Sequence, residues 1–260
     1  MNDPKLQMLH HPTMTVGVFF LPLELTSEHL IDKAVVVFDV LRATTSITSA
    51  LSAGVTEIRV FGDIKSAQLA ARAFGDTALL CGELTCLRPP GFDLGNSPGE
   101  YDRGRHVGRV AFLSTTNGTK AVIAARGAAV ILIGALVNAT AVARKLAAIG
   151  RNVSLLCAGT QGRCSMEDVV GAGAVIDALE SIHGCTPSSD AARMALRLFR
   201  AAKSSLRETL SDTTSGGNLR KAGLEKDIDF CAVLDSIPIV GVVRDHPLRV
   251  VLEAESARTD

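Results

Sequence analysis

Four polar segments of this 260-residue chain carry side chains able to hold and cleave a small anion. The first is Asp39-Val40-Leu41-Arg42-Ala43-Thr44-Thr45-Ser46. A carboxylate directly after the apolar run VVVF stands where a metal ligand or general base would stand, and Arg42 is a candidate anion clamp. Thr44 and Thr45 fall at a helix start, where free backbone N–H groups attract negative charge. Either threonine could equally be an N-cap, with Asp39 a turn residue. The second segment runs from Gly82-Glu83 through Pro89-Pro90 to Gly91-Phe92-Asp93-Leu94-Gly95-Asn96-Ser97-Pro98. Its glycines and prolines describe a shaped loop that presents Glu83, Asn96 and Ser97, or else a turn-rich connection with Asx caps.

The third segment, Ser114-Thr115-Thr116-Asn117-Gly118-Thr119-Lys120, lacks the GxxxxGK[ST] spacing of a P-loop. Thr116, Asn117, Gly118 and Thr119 at a helix start nevertheless suit an oxyanion cradle. The fourth spans Cys157 to Asp168. Glu167 and Asp168 sit in a first helical turn, where acids also complement the macrodipole. Cys157-x5-Arg163 matches the phosphate loop of cysteine phosphatases, in which surrounding N–H groups activate a thiolate. With 19 arginines in the chain, that spacing arises by chance roughly one time in three. Cys81 ends an equivalent strand with no such loop, so a core thiol is favoured and the cysteine phosphatase is the alternative. A non-catalytic anion-binding protein is a second alternative. A DxDxT phosphatase would need an acid where Leu41 stands, and GxSxG, HExxH and GxGxxG are absent. No cysteine pair has CxxC spacing, and His106, His183 and His246 read as surface residues in turns.

These segments need strand ends to position them. Thr15–Phe20 and Ala34–Asp39 read as buried strands, Thr44–Ala53 as a helix, and Glu57–Phe61, Ile64–Phe74 and Ala78–Cys81 as strand, helix and strand. Strand Val110–Leu113, helix Gly118–Arg126, strand Ala129–Ile133, helix Ala139–Ile149 and strand Val153–Cys157 follow. The rest is helical up to a late strand at Pro238–Val243. The alternation predicts a layered α/β/α fold with a largely parallel sheet. Landmarks recur at offsets of 71 (Thr45, Thr116), 72 (Gly62, Gly134) and 76 (the LLC runs at 79 and 155). They predict two similar α/β halves, about 15–99 and 100–260, the second with a helical C-terminal part, behind a flexible extension at 1–14.

Composition narrows the ligand. Twenty-seven basic and 27 acidic side chains balance, so no basic excess is present to neutralise nucleic-acid phosphates or to seek a charged membrane surface. Aromatics are 4%, too few for base stacking. The basic side is 19 Arg to 8 Lys, favouring two-pronged grips on small anions. No signal-peptide core and no run of about 18 uncharged apolar residues is seen, so a cytoplasmic enzyme is expected, and a homo-oligomer is compatible with the sequence.

Taken together, VVVFDVLRATTSITSAL (35–51), GE with GFDLGNSP (82–83, 91–98), STTNGTKAV (114–122) and CAGTQGRCSMEDVVGAGAVIDAL (157–179) resemble the 2-phosphosulfolactate phosphatase family. Ser215-Gly216-Gly217-Asn218-Leu219, with Asp227 and Pro238 beyond, agrees with its C-terminal style. The resemblance implies a Mg²⁺-dependent hydrolase that removes phosphate from a small 2-phospho-carboxylate, a step towards coenzyme M. On this basis Asp39, Arg42 and Asp168 are expected as catalytic residues, with the metal held by Asp39 and helped by Glu83 or Asp168. Thr44, Thr45, Asn96, Ser97, Thr116, Asn117, Gly118 and Thr119 would surround the substrate. Leu84 and Cys86 stand where the family usually has Arg and Gly, with Arg88 close by as a substitute cation.

Overall fold

The computed structural model describes residues 14–253. The predicted extension 1–14 lies outside that range except for Met14, which is buried and accepts a hydrogen bond from Thr186. The chain runs β1 (Thr15–Phe19), β2 (Ala34–Phe38), α1 (Ala43–Ser52), β3 (Glu57–Phe61), α2 (Ile64–Phe74) and β4 (Ala78–Gly82). A long loop and the short α3 (Arg103–His106) lead to β5 (Val110–Ser114), α4 (Gly118–Ala124), β6 (Val130–Gly134), α5 (Ala139–Ile149) and β7 (Val153–Cys157). The remainder is α6 (Met166–Ile182), β8 (Thr186–Pro187), α7 (Asp190–Ala202), α8 (Leu206–Ser211), α9 (Thr214–Lys221), α10 (Glu225–Cys231), β9 (Gly241–Arg244) and β10 (Arg249–Leu252). Among the described residues no helix is long and apolar enough to cross a membrane.

The ten strands form one sheet in the order β4-β5-β3-β10-β9-β6-β2-β7-β1-β8. Two parallel blocks, β4-β5-β3 and β6-β2-β7-β1-β8, are joined by the antiparallel β9–β10 hairpin. The repeat takes a specific form: β2-α1-β3-α2-β4 matches β5-α4-β6-α5-β7 in order. The two units interlock, because β2 lies between β6 and β7 of the other unit, and β5 lies between β3 and β4. Each unit therefore supplies the middle strand of the other's block. A middle strand covered on both faces must be apolar throughout. That is why AVVVF and VAFLS are buried at every position, whereas EIRVF of β3 alternates.

The core follows the blocks. One cluster packs β1, β2 and β7 against α5, α6 and α7 through residues such as Val36, Phe38, Leu146, Val175 and Phe199. The opposite face of β2 (Val35, Val37) meets α1, α4 and the inner face of the other block, through Ile47, Val122, Ile58 and Leu113. A small cluster around Phe112 and Ala71 seats α2 on the outside. The sheet thus curls so that α1 and α4, the first helices of the two units, share one interior. Strand β10 is absent from the sequence reading because RVVL is too short and too near the end to register as a periodic run. His106, read as a surface residue, is buried: its Nδ1 accepts the Asp102 N–H at 3.0 Å, and its ring meets Tyr101 edge-on.

Helix α6 meets α7 without a spacer at Gly173, where an added Cβ would lie 2.1 Å from the Ala195 carbonyl oxygen. A backbone atom cannot step aside, so Gly173→Ala should destabilise the fold by about 2–3 kcal/mol through overpacking. The same change at Gly217, inside α9 with nothing within 4 Å, should stabilise by about 0.5–1 kcal/mol from helix propensity. Urea denaturation of the two variants checks the opposite signs.

Candidate active site

Interlocking brings the turn after β2 against the turn after β5. Gly118, at the start of α4, approaches so closely that a Cβ there would lie 2.5 Å from Ala43 Cβ and 2.7 Å from Asp39 Oδ2. Beside this contact opens a cavity of about 510 Å³. Its floor and sides come from Asp39, Leu41 and Arg42 after β2, Glu83 to Leu87 after β4, and Thr116 and Asn117 after β5. Asn96, Thr160 and Gln161 add to the wall, and one face of α9 closes it with Ser215, Asn218, Leu219, Lys221 and Ala222.

Asp39 is 7% exposed. Its Oδ1 accepts the Ala43 N–H at 3.3 Å, and Oδ2 has no hydrogen-bond partner among the described residues. Burial pushes the carboxyl up from 3.8 to about 7, assisted by the charges of Glu83 and Glu167 and opposed by the Ala43 N–H and Arg42. The turn itself is braced by the neighbouring hydroxyls. Thr44 Oγ1 accepts the Asp39 N–H at 3.1 Å and donates to the Asp39 carbonyl at 2.9 Å, while Thr45 Oγ1 donates to the Val40 carbonyl at 2.9 Å. Both threonines are fully buried behind the wall. Thr119 is likewise engaged with Thr115 and lies outside the cavity. The expected ligand-binding hydroxyls of Thr44, Thr45 and Thr119 are therefore turn braces in this structure.

Arg42 reaches the cavity but is held from behind. Its Nη1 donates to Asp227 Oδ2 at 2.6 Å and to Ser97 Oγ at 3.1 Å, and its Nη2 donates to the Cys86 carbonyl at 2.6 Å. Ser97 Oγ donates to the same Asp227 oxygen at 2.7 Å, which places Ser97 in this latch rather than in the cavity wall. The ion pair is buried on both sides. Asp227 is the site residue to which the sequence assigned no role: one of three acids in a short helix, it offers no signal until Arg42 is seen against it. Asn96 lines the cavity, is 3% exposed, and its Oδ1 is buried without a partner.

Glu83 spans two turns, accepting the Cys86 N–H at 2.9 Å and the Thr116 N–H at 2.7 Å. Asp168 lies behind Asp39 rather than beside the cavity. Its Oδ1 accepts the Val40 N–H at 2.8 Å and its Oδ2 the Gly159 N–H at 3.1 Å, stapling the turn after β2 to the turn after β7. Burial, then the charges of Glu167 and Asp39, hold this carboxyl well above its usual range. Among the described residues no three His, Cys, Asp or Glu side chains are disposed to hold a metal ion, and of the two expected helpers of Asp39, Glu83 lines the cavity and Asp168 does not. Asp39 and Glu83 remain on the wall. Their hard oxygens, with space kept open at Oδ2 by Gly118, fit an ion such as Mg²⁺ that retains waters and takes few protein ligands.

The cysteine alternative is overturned. Cys157 is fully buried, outside the cavity, and burial with the nearby Asp168 charge raises its thiol well above the usual range. Arg163 is exposed and offers it no activation.

Two stability experiments follow from these charges. Asp227→Ala leaves the buried Arg42 unpaired and should cost about 3–5 kcal/mol in urea denaturation. For Asp39, the folded protein holds a proton that the unfolded chain releases, between pH 3.8 and about 7. Stability contributed there is present below 3.8, falls as pH rises to about 7, and is flat above. Metal-free Asp39→Asn, which cannot ionise, should lose less stability across that window and be the more stable protein at about pH 8 by a few kcal/mol. Equal slopes for the two proteins would contradict a strained carboxylate.

Known proteins share this sequence over most of its length. A family model described as 2-phosphosulpholactate phosphatase matches residues 20–246. A probable 2-phosphosulfolactate phosphatase of Carboxydothermus hydrogenoformans is 38% identical over 241 residues, covering 93% of this chain and 98% of the relative. Its counterpart from Symbiobacterium thermophilum is 37% identical over 228 residues, 87% and 97% of the two chains. That of Thermus thermophilus is 40% identical over 221 residues, 84% and 91%. With the match spanning both interlocked units and every wall segment of the cavity, the chain belongs to the 2-phosphosulpholactate phosphatase family of phosphoric monoester hydrolases.

Proposed function

We propose that this chain hydrolyses the phosphomonoester of a small 2-phospho-carboxylate, 2-phosphosulfolactate, to sulfolactate and phosphate, and that it does so with Mg²⁺. The observation that carries the reading is Asp39, a buried carboxylate on the wall of the cavity between two helix-starting turns, with one oxygen free of hydrogen bonds. The relatives' names supply the substrate. Bound Mg²⁺ would neutralise phosphoryl oxygens and orient water, with Asp39 and Glu83 as its protein carboxylates. Arg42 keeps N–H groups beyond those given to Asp227, Ser97 and Cys86, and these would grip the phosphoryl group. Asn117, whose Oδ1 accepts the Gln161 N–H at 3.4 Å, would donate through its Nδ2, while the unpartnered Oδ1 of Asn96 would accept from a water or hydroxyl in the cavity. The low exposure of this floor limits competing water, which strengthens each of these contacts. Hydrolysis breaks the P–O bond, and the departing oxygen becomes the 2-hydroxyl of the product. On this reading the enzyme works in the cytoplasm on a step towards coenzyme M.

The decisive measurement is phosphate release from 2-phosphosulfolactate, 2-phospholactate and phosphoglycerate with and without Mg²⁺. Turnover should require Mg²⁺, stop with EDTA, and fall about a hundredfold or more in Asp39→Asn. Cys157→Ser should keep turnover. Release that ignores EDTA, or a fully active Asp39→Asn, would remove the metal and Asp39 from the reaction.

A further inference from the structure

Helix α9 presents Ser215, Asn218 and Lys221 to the cavity, three and six residues apart, which is one stripe of a helix. The helix is firmly seated. Thr213 caps it by accepting the Gly216 N–H at 2.9 Å, and a Cβ at Gly216 would lie 2.1 Å from the Leu210 carbonyl oxygen of α8. Along the stripe exposure increases, from buried Ser215 through half-buried Asn218 to exposed Lys221 at the mouth. Ser215 Oγ is engaged with Thr160 at 2.9 Å, but Asn218 and Lys221 have no side-chain partner among the described residues. Two cationic side chains line this cavity among the described residues, and they are not equivalent. Arg42 is already neutralised by Asp227, whereas Lys221 forms no ion pair among the described residues.

We propose that the Asn218–Lys221 face of α9 is a subsite for the acid group of the substrate that lies furthest from its phosphate, and that it sets the preference for substrates carrying a second strong acid. This rests on the proposed function, which puts the phosphate on the buried floor near Asp39. A substrate so oriented directs its remaining acid groups outward, towards the rim where Lys221 stands. An ammonium there, with the Asn218 amide beside it, makes charge-assisted bonds to a sulfonate or carboxylate.

Calorimetric binding of sulfolactate and of lactate tests this without turnover, because neither carries phosphate. Sulfolactate should bind the Mg²⁺-loaded wild type more tightly than lactate does. Lys221→Ala should weaken sulfolactate by roughly fivefold or more and Lys221→Glu further, with Lys221→Arg largely restoring it. High salt should narrow the gap, since the lysine is exposed. Equal sulfolactate affinity in wild type and Lys221→Ala, or no sulfolactate binding by wild type, would overturn the subsite. Lys221-dependent sulfolactate binding in a chain that hydrolyses no 2-phospho acid would keep the subsite and overturn the proposed function. Hydrolysis of 2-phosphosulfolactate with no effect of Lys221 on sulfolactate binding would do the reverse.

Discussion

The exchange of middle strands is the constraint on which the rest of the structure depends. Because β2 sits within the second unit's block and β5 within the first's, the turns that follow them emerge into a common interior instead of on separate surfaces. Gly118 then packs against Ala43 and Asp39 closely enough that no side chain fits. Neither unit alone could make this site. Asp39 and Glu83 come from one unit, Thr116 and Asn117 from the other, and Glu83 binds the N–H of Thr116 across the divide.

Burying Asp39 has a cost that the surroundings were built to bear. Desolvation holds its carboxyl near 7, and two further acids, Glu167 and Asp168, lie in the same buried region. Asp168 tolerates burial by receiving two backbone N–H bonds, and in doing so it fixes the turn that aims Asp39. One carboxylate is thus stabilised so that its neighbour can be left with an oxygen free. Strain placed on a single ligand-facing group, with rigid support behind it, is a common arrangement at catalytic sites.

Much of the fold was legible because both middle strands read as unbroken apolar runs and their turns repeat at nearly constant offsets. The interlocking was not legible, since a repeat states that two units are alike and says nothing of whose strands pair. Within the site, Asp39, Arg42, Glu83, Asn96, Thr116 and Asn117 could be found because they follow strands. The same rule overreached at Thr44, Thr45 and Thr119. A hydroxyl at a helix start can turn inward to brace its own backbone or outward to a ligand, and the composition of the turn is identical in both cases. Asp227, noticed only as part of the C-terminal pattern and given no role, and Lys221 were missed for the opposite reason. They lie on polar helices far along the chain, and only tertiary packing gives them partners or a cavity to face.

Overall neutrality of the chain now has a local meaning. The cavity wall carries Asp39 and Glu83 against Arg42 and Lys221, with Asp227 immediately behind Arg42. A substrate with several negative charges cannot enter such a wall on the strength of its arginine, since that charge is already paired. Either a cation enters with the phosphate, compensating the two carboxylates, or the anion remains outside at the rim where Lys221 is unopposed. The first route matches the reading of a metal-assisted phosphatase, and the second explains why an unpaired cation would be placed at the mouth. Acting together they would separate the two ends of one ligand: the end to be cleaved would be drawn to the floor by the proposed metal and its carboxylates. The other end would be held at the entrance by a side chain that never touches the reacting bond.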